Sequence, residues 1–105
     1  MPQYLIAGQH PPELCPSANE KIRNLSQEGA GQIPALADKL GVKLLATYVP
    51  MNNHMVFAAV EADDMSTVRE FAFQARLAQW NTIDIYQVST LEEALTKVNE
   101  LPTIY

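Results

Sequence analysis

The chain has 105 residues, of which 48% are hydrophobic and 18% are charged. This length predicts one domain over residues 1–105, and the apolar content excludes an intrinsically disordered chain. Seven basic and twelve acidic residues give a net charge of −5, which argues against nucleic acids and anionic membranes as partners, because both require a basic patch. One cysteine excludes an internal disulfide, and no signal peptide or membrane span is visible, so a soluble, cytoplasmic protein is expected.

The first half of the chain predicts a strand, a proline-rich loop and a long helix. Residues 3–8 are short and apolar, as in a strand, and the three prolines within residues 10–16 favour a stiff loop. Apolar residues then recur every 3.6 residues on average, and this spacing continues across Pro34. We therefore predict one helix over residues 18–40, kinked near Pro34 and ended by Gly41.

The second half predicts a β-hairpin, a helix, a fourth strand and a short final helix. The β-branched and aromatic segments place the strands at residues 42–49, 54–62 and 82–88. Asp63 and Asp64 are predicted to cap the next helix, and the apolar stripe behind them extends this helix to Ala78. The resulting order, β-α-β-β-α-β-α, predicts an α+β fold, namely a ferredoxin-like sandwich with an extra C-terminal helix.

Both faces of the predicted hairpin strands are apolar. In the second strand Leu44 and Tyr48 alternate with Leu45 and Val49, and the third strand shows the same pattern on either side of Phe57. Two long helices cover only one face of such a sheet. Either the short final helix covers part of the other face, or a second copy of the chain does. We favour the second alternative and predict a homodimer.

The whole chain resembles the dimeric α+β-barrel group of ferredoxin-like proteins in its element order and apolar faces. That group includes small monooxygenases, isomerases, haem-degrading enzymes and nickel-binding domains. The loop His10-Pro11-Pro12-Glu13-Leu14-Cys15-Pro16 is also similar to that of short uncharacterised bacterial and archaeal proteins. The resemblance implies a dimeric barrel but no particular activity, because many functions share such folds.

The predicted topology gathers the cysteine and both histidines at one end of the sheet. Three loops lie there, formed by residues 10–16, 50–54 and 79–81. His10 follows the first strand and His54 begins the third strand, which are neighbours in a ferredoxin-like sheet. Together with Cys15 they supply two imidazoles and a thiolate, which suit copper, and less specifically nickel or zinc. A closed four-ligand zinc site is impossible within one chain, so a methionine, Glu13, water or a second subunit would complete the coordination.

Several other side chains are expected near this end of the sheet. They are Tyr48, Met51, Met55, Trp80 and Asn81. In an alternative interpretation, the protein is a small cofactor-independent monooxygenase- or isomerase-like enzyme with a pocket near Tyr48 and Trp80, which His54 and Asn81 also line. In a third interpretation, the chain is an interaction protein without chemistry, in which the histidines are loop residues, Cys15 is a small buried hydrophobe and the methionines fill the core.

Cys15 allows two further chemical interpretations. The dipeptide Cys15-Pro16 matches a short element found in some thiolate–haem contacts, although haem is favoured less than a single metal ion. The start of the following helix would lower the pKa of the thiol, so Cys15 could also act as a nucleophile or redox centre with His10 or His54 as its base. Phosphate-binding glycine loops, Gly-x-Ser-x-Gly, Cys-x-x-Cys and His-Glu-x-x-His are all absent.

Overall fold

The computed structural model describes residues 1–105 and shows an α+β fold with a four-stranded antiparallel sheet and three helices. The elements are β1 (Gln3–Gln9), α1 (Glu20–Leu40), β2 (Lys43–Tyr48), β3 (Met55–Glu61), α2 (Met65–Gln74), β4 (Thr82–Val88) and α3 (Leu91–Val98). The strand order is β2-β3-β1-β4, and every neighbouring pair is antiparallel. This order is consistent with the predicted ferredoxin-like fold. None of the helices is long and apolar enough to cross a bilayer.

Helix α1 is continuous from Glu20 to Leu40, as the apolar spacing predicts, and it contains Pro34. Its first turn is capped by Asn19, whose side-chain oxygen accepts a hydrogen bond from the Ile22 amide at 3.0 Å. Gly41 ends the helix in the left-handed conformation, with φ of 70°, which a glycine adopts without steric cost. Residues 18 and 19 therefore precede the helix instead of forming its first turn.

Helix α2 is shorter than predicted. The Asp64 carboxylate caps it by accepting from the Thr67 amide at 2.8 Å, but the helix ends at Gln74 and Ala78 lies outside it. The chain leaves the helix at Arg76, which has a φ of 66°, and then forms a 3-10 turn over Leu77–Gln79. The apolar spacing continues across this break, so the sequence pattern alone did not reveal it.

The core lies between the helices and one face of the sheet. Its buried residues include Tyr4 and Ile6 of β1, Val60 of β3, and Val68 and Phe71 of α2. Alternate residues of the strands point to the opposite face, where no helix packs. We call this the open sheet face, and its apolar residues are Leu5, Ala7, Ala46, Tyr48, Met55, Phe57, Ala59, Tyr86 and Val88.

Helix α3 does not cover the open sheet face. It makes no extensive contact with any other element, and its apolar stripe is exposed; the stripe consists of Leu91, Leu95, Val98 and the following Leu101. The radius of gyration is 16.0 Å, whereas a compact chain of this length has about 13 Å. The alternative in which the final helix covers the second face is therefore wrong for the single chain.

Candidate metal centre

The structure brings His10, Cys15 and His54 together at one end of the sheet. The ligating atoms of the three side chains all lie within 4.8 Å of one another. The backbone joins two of these residues directly, since the His10 amide donates to the His54 carbonyl at 3.1 Å. This bond connects the end of β1 to the start of β3, so the predicted adjacency of the two histidines is confirmed.

Cys15 is fixed between a short 3-10 turn, Pro12–Leu14, and the start of α1. Its amide donates to the Pro12 carbonyl at 3.1 Å, and its own carbonyl accepts from the Asn19 amide at 2.9 Å. The Arg23 guanidinium, one turn into α1, donates to the Pro16 carbonyl at 2.8 Å. The proline-rich loop is therefore held by its own turn and by the helix, and the thiol has a defined position.

The surroundings of Cys15 favour the thiolate. The Ser17 hydroxyl donates to the Cys15 sulfur over 3.0 Å. Hydrogen bonds from the side chain and backbone of Ser17, with smaller contributions from the nearby imidazoles of His54 and His10, lower the pKa of the thiol from 9.0 to about 6, against an opposing effect of burial. At neutral pH the sulfur is therefore mostly ionised, which is the form that binds metals.

Replacing Ser17 with alanine is expected to raise the pKa of the Cys15 thiol from about 6 toward 9.0, because the largest stabilising contribution to the thiolate is removed. At pH 7 the variant therefore holds a smaller fraction of thiolate than the wild type. The ultraviolet absorbance of the thiolate, followed against pH, measures this shift. Ser26→Ala in the middle of α1 is the matched control, and an unchanged titration curve in Ser17→Ala would contradict the assignment.

His10 is anchored through one of its two ring nitrogens. The side chain is 6% exposed, and its Nδ1 lies 2.8 Å from Oδ1 of Asn81. The Asn81 amide nitrogen donates to the Leu77 carbonyl at 3.1 Å, so Oδ1 of Asn81 is an acceptor and Nδ1 of His10 carries a hydrogen. Nε2 of His10 is buried and has no hydrogen-bond partner. Its lone pair is free to bind an ion in the neutral tautomer.

Two neighbours fix this arrangement. The Trp80 ring packs on His10 with ring centroids 5.0 Å apart and the planes tilted by 48°. Gly8 of β1 leaves room for Asn81, because a Cβ at that position would lie 3.1 Å from Cγ of Asn81 and 2.9 Å from Val56. The left-handed turn at Arg76 and the 3-10 turn that follows it position Trp80 and Asn81 next to His10.

The group has the donor set of a transition-metal site. Ligands bound tetrahedrally with bonds of about 2.0–2.3 Å lie about 3.5 Å apart, so the three side chains need to close by about 1 Å around an ion. No carboxylate belongs to the group, which disfavours hard cations such as magnesium and calcium. The buried, unpartnered Nε2 of His10 fits a metal ligand, because an ion would satisfy it.

Of the other residues predicted to lie at this end of the sheet, only some contact the candidate metal centre. Trp80 and Asn81 contact His10. Met51 is 98% exposed, and Tyr48 is 66% exposed on the open sheet face. Met55 pairs with Gln9 in the sheet, where strand alternation places it on the open sheet face. Tyr48 and Trp80 therefore do not share one enclosed pocket.

Two contributions to the centre were not assigned from the sequence. The Ser17 hydroxyl contacts the sulfur, a role that no sequence pattern predicts for this residue. Asn81 was considered to line a pocket, yet it orients His10. The proximity of Ser17 to Cys15 in a loop was the available signal for the first contribution.

No known protein-family model matches the chain, and no curated protein is significantly similar to it. The geometry of the centre is therefore the basis on which a function is assigned.

Proposed function

We propose that this protein binds one transition-metal ion through Nε2 of His10, the Cys15 sulfur and the His54 imidazole. The observation that carries this proposal is the state of His10, which is buried and oriented by Asn81 and leaves Nε2 without a partner beside a thiolate. An unsatisfied buried polar atom costs about 1–3 kcal/mol. A bound ion would remove that cost and would neutralise the thiolate.

The donor set favours copper, and copper(I) in particular, over nickel or zinc. Thiolate is a soft ligand, imidazole is accepted by all three metals, and no oxygen ligand belongs to the group. Three protein ligands leave a fourth position for zinc or nickel, to be filled by water or by a residue of a second copy. Copper(I) accepts three-coordinate surroundings, so it needs no further ligand.

Metal analysis of untagged protein purified without chelator tests the proposal. Titration of the metal-free protein with copper(I), zinc and nickel should give one ion per chain, with copper(I) bound most tightly. His54→Ala should weaken copper(I) binding at least about tenfold, because one of three ligands is lost. Met51→Ala is the control in the neighbouring loop, where the side chain is exposed to solvent. Equal affinity in wild type and His54→Ala would contradict the proposal.

We further propose that a second copy of the chain covers the open sheet face, as the resemblance to dimeric α+β barrels implies. Two observations support this. The open sheet face is lined by apolar residues such as Leu5 and Phe57, and the apolar stripe of α3 has nothing to pack against within its own chain. One symmetric association would cover both surfaces in each copy.

A further inference from the structure

His10 lies between the Asn81 amide and the Cys15 sulfur, and this arrangement suits nucleophilic chemistry as well as metal binding. On one side its Nδ1 donates to Asn81, at 2.8 Å. On the other side it lies within 4.8 Å of the Cys15 sulfur and contributes to stabilising the thiolate. The side chain is more than nine-tenths buried and its Nε2 has no partner. A thiol, a base and a group that orients the base are the components of an activated nucleophile.

We propose that in the metal-free protein Cys15, His10 and Asn81 form a nucleophilic site that accepts acyl groups from small activated esters and thioesters. Cys15 is the nucleophile and His10 the proton carrier, so both are catalytic residues. Asn81 acts through His10 and is a positioning residue. His54 also faces the sulfur, but no side-chain partner orients its ring, so the structure assigns the role of base to His10.

The reaction consists of two balanced steps. Nε2 of His10 first takes the proton of the Cys15 thiol. The resulting thiolate attacks the acyl carbon of a thioester, a new bond forms between Sγ and that carbon, and the bond to the leaving sulfur breaks while Nε2 passes the same proton to that sulfur. A thiol leaves and Cys15 carries the acyl group. Neutral His10 then takes a proton from water, the resulting hydroxide attacks the acyl carbon, and the Cys15 thiolate departs with the carboxylic acid as the other product. No oxidant or cofactor is needed.

A small substrate has access to this site. Cys15 is only half-buried, and a shallow depression borders the histidines, with a lining that includes Pro12, Asn53 and Thr82. The depression is wide open, which suits a small acyl compound better than a long chain. It is lined by no charged carboxylate or ammonium group, so the acyl compound itself is expected to be uncharged.

Acylation of chelator-treated protein by ethyl thioacetate and by p-nitrophenyl acetate tests this inference. The ethyl thiolate needs a proton to leave, whereas p-nitrophenolate does not, so the thioester reports on His10 and the ester mainly on the thiolate. We expect one acetyl group on Cys15 in the mass spectrum.

We also expect a thioester reaction at least about tenfold faster per thiolate than that of a peptide comprising residues 12–18, since acid–base assistance contributes about 10²–10⁴-fold. A rate equal to that of the peptide would overturn the proposal, whatever the variants do.

The variants separate positioning from folding and from metal binding. Asn81→Leu should slow the thioester reaction at least about tenfold and the ester reaction much less, and Asn81→Asp, which keeps the acceptor oxygen, should restore the thioester rate. Equal slowing with both probes, or no restoration by Asp, would overturn the role of Asn81. Met51→Ala, in the neighbouring loop with its side chain exposed to solvent, should keep the acylation rate. A protein that binds metal without acylation refutes this inference alone, and one that acylates without binding metal refutes only the proposed metal function.

Discussion

Replacing Cys15 with serine is expected to weaken copper(I) binding by at least about a hundredfold and zinc binding less. A hydroxyl stays protonated at neutral pH and is a hard donor, so the variant offers two imidazoles in place of two imidazoles and a thiolate. Competition with a chromogenic copper(I) chelator measures the change. Because Cys15 is half-buried in a loop that is held by its backbone, the fold should be retained, and circular dichroism checks this.

The loss should also be non-additive with loss of a histidine. Cys15→Ser combined with His54→Ala should cost less than the sum of the single effects, because the ligands of one ion are coupled. Strictly additive effects would mean that the two residues bind separate ions. Unchanged copper(I) affinity in Cys15→Ser would contradict a thiolate-ligated site.

A charge on the open sheet face is expected to convert a dimer into a monomer. Phe57 lies in β3, opposite Ala7 of β1 and Tyr48 of β2, near the middle of this face. An unpaired aspartate buried there costs several kcal/mol in each copy, which exceeds what a small interface can tolerate. Sedimentation velocity at micromolar concentration should therefore show twice the chain mass for the wild type and a single chain for Phe57→Asp.

Phe73→Asp is the matched control for this substitution. Phe73 is 69% exposed on α2, on the side of the sheet that already carries helices, and its replacement should leave the dimer intact. A wild-type protein that sediments as a single chain, or a Phe57→Asp variant that remains a dimer, would contradict the proposed association.

The elements that the sequence predicted well are those set by local patterns. The apolar spacing across Pro34 identified one continuous α1 because a helix interrupted by a loop would lose its phase. Asp64 was recognisable as the cap of α2, because a capping hydrogen bond spans only three positions. The end of α2 near Arg76 was not predicted, because the left-handed backbone conformation of this residue does not change the spacing of the apolar residues.

The candidate site was predictable only as far as topology determines it. The expected strand order placed the ends of β1 and β3 side by side, and this predicted the meeting of His10 and His54. The bond between His10 and Asn81 joins residues 71 positions apart. This bond depends on the turn after α2, on the small size of Gly8 and on the orientation of the Asn81 side-chain amide. None of these appears in a sequence pattern.

X-ray absorption spectroscopy of the copper(I)-loaded protein is the sharpest test of the metal site, because it counts the atoms bound to the metal. We predict one sulfur at about 2.3 Å and two imidazole nitrogens at about 2.0 Å, with the sulfur signal absent in Cys15→Ser. A wild-type spectrum without sulfur, or with fewer than two imidazoles, would contradict a site formed by His10, Cys15 and His54.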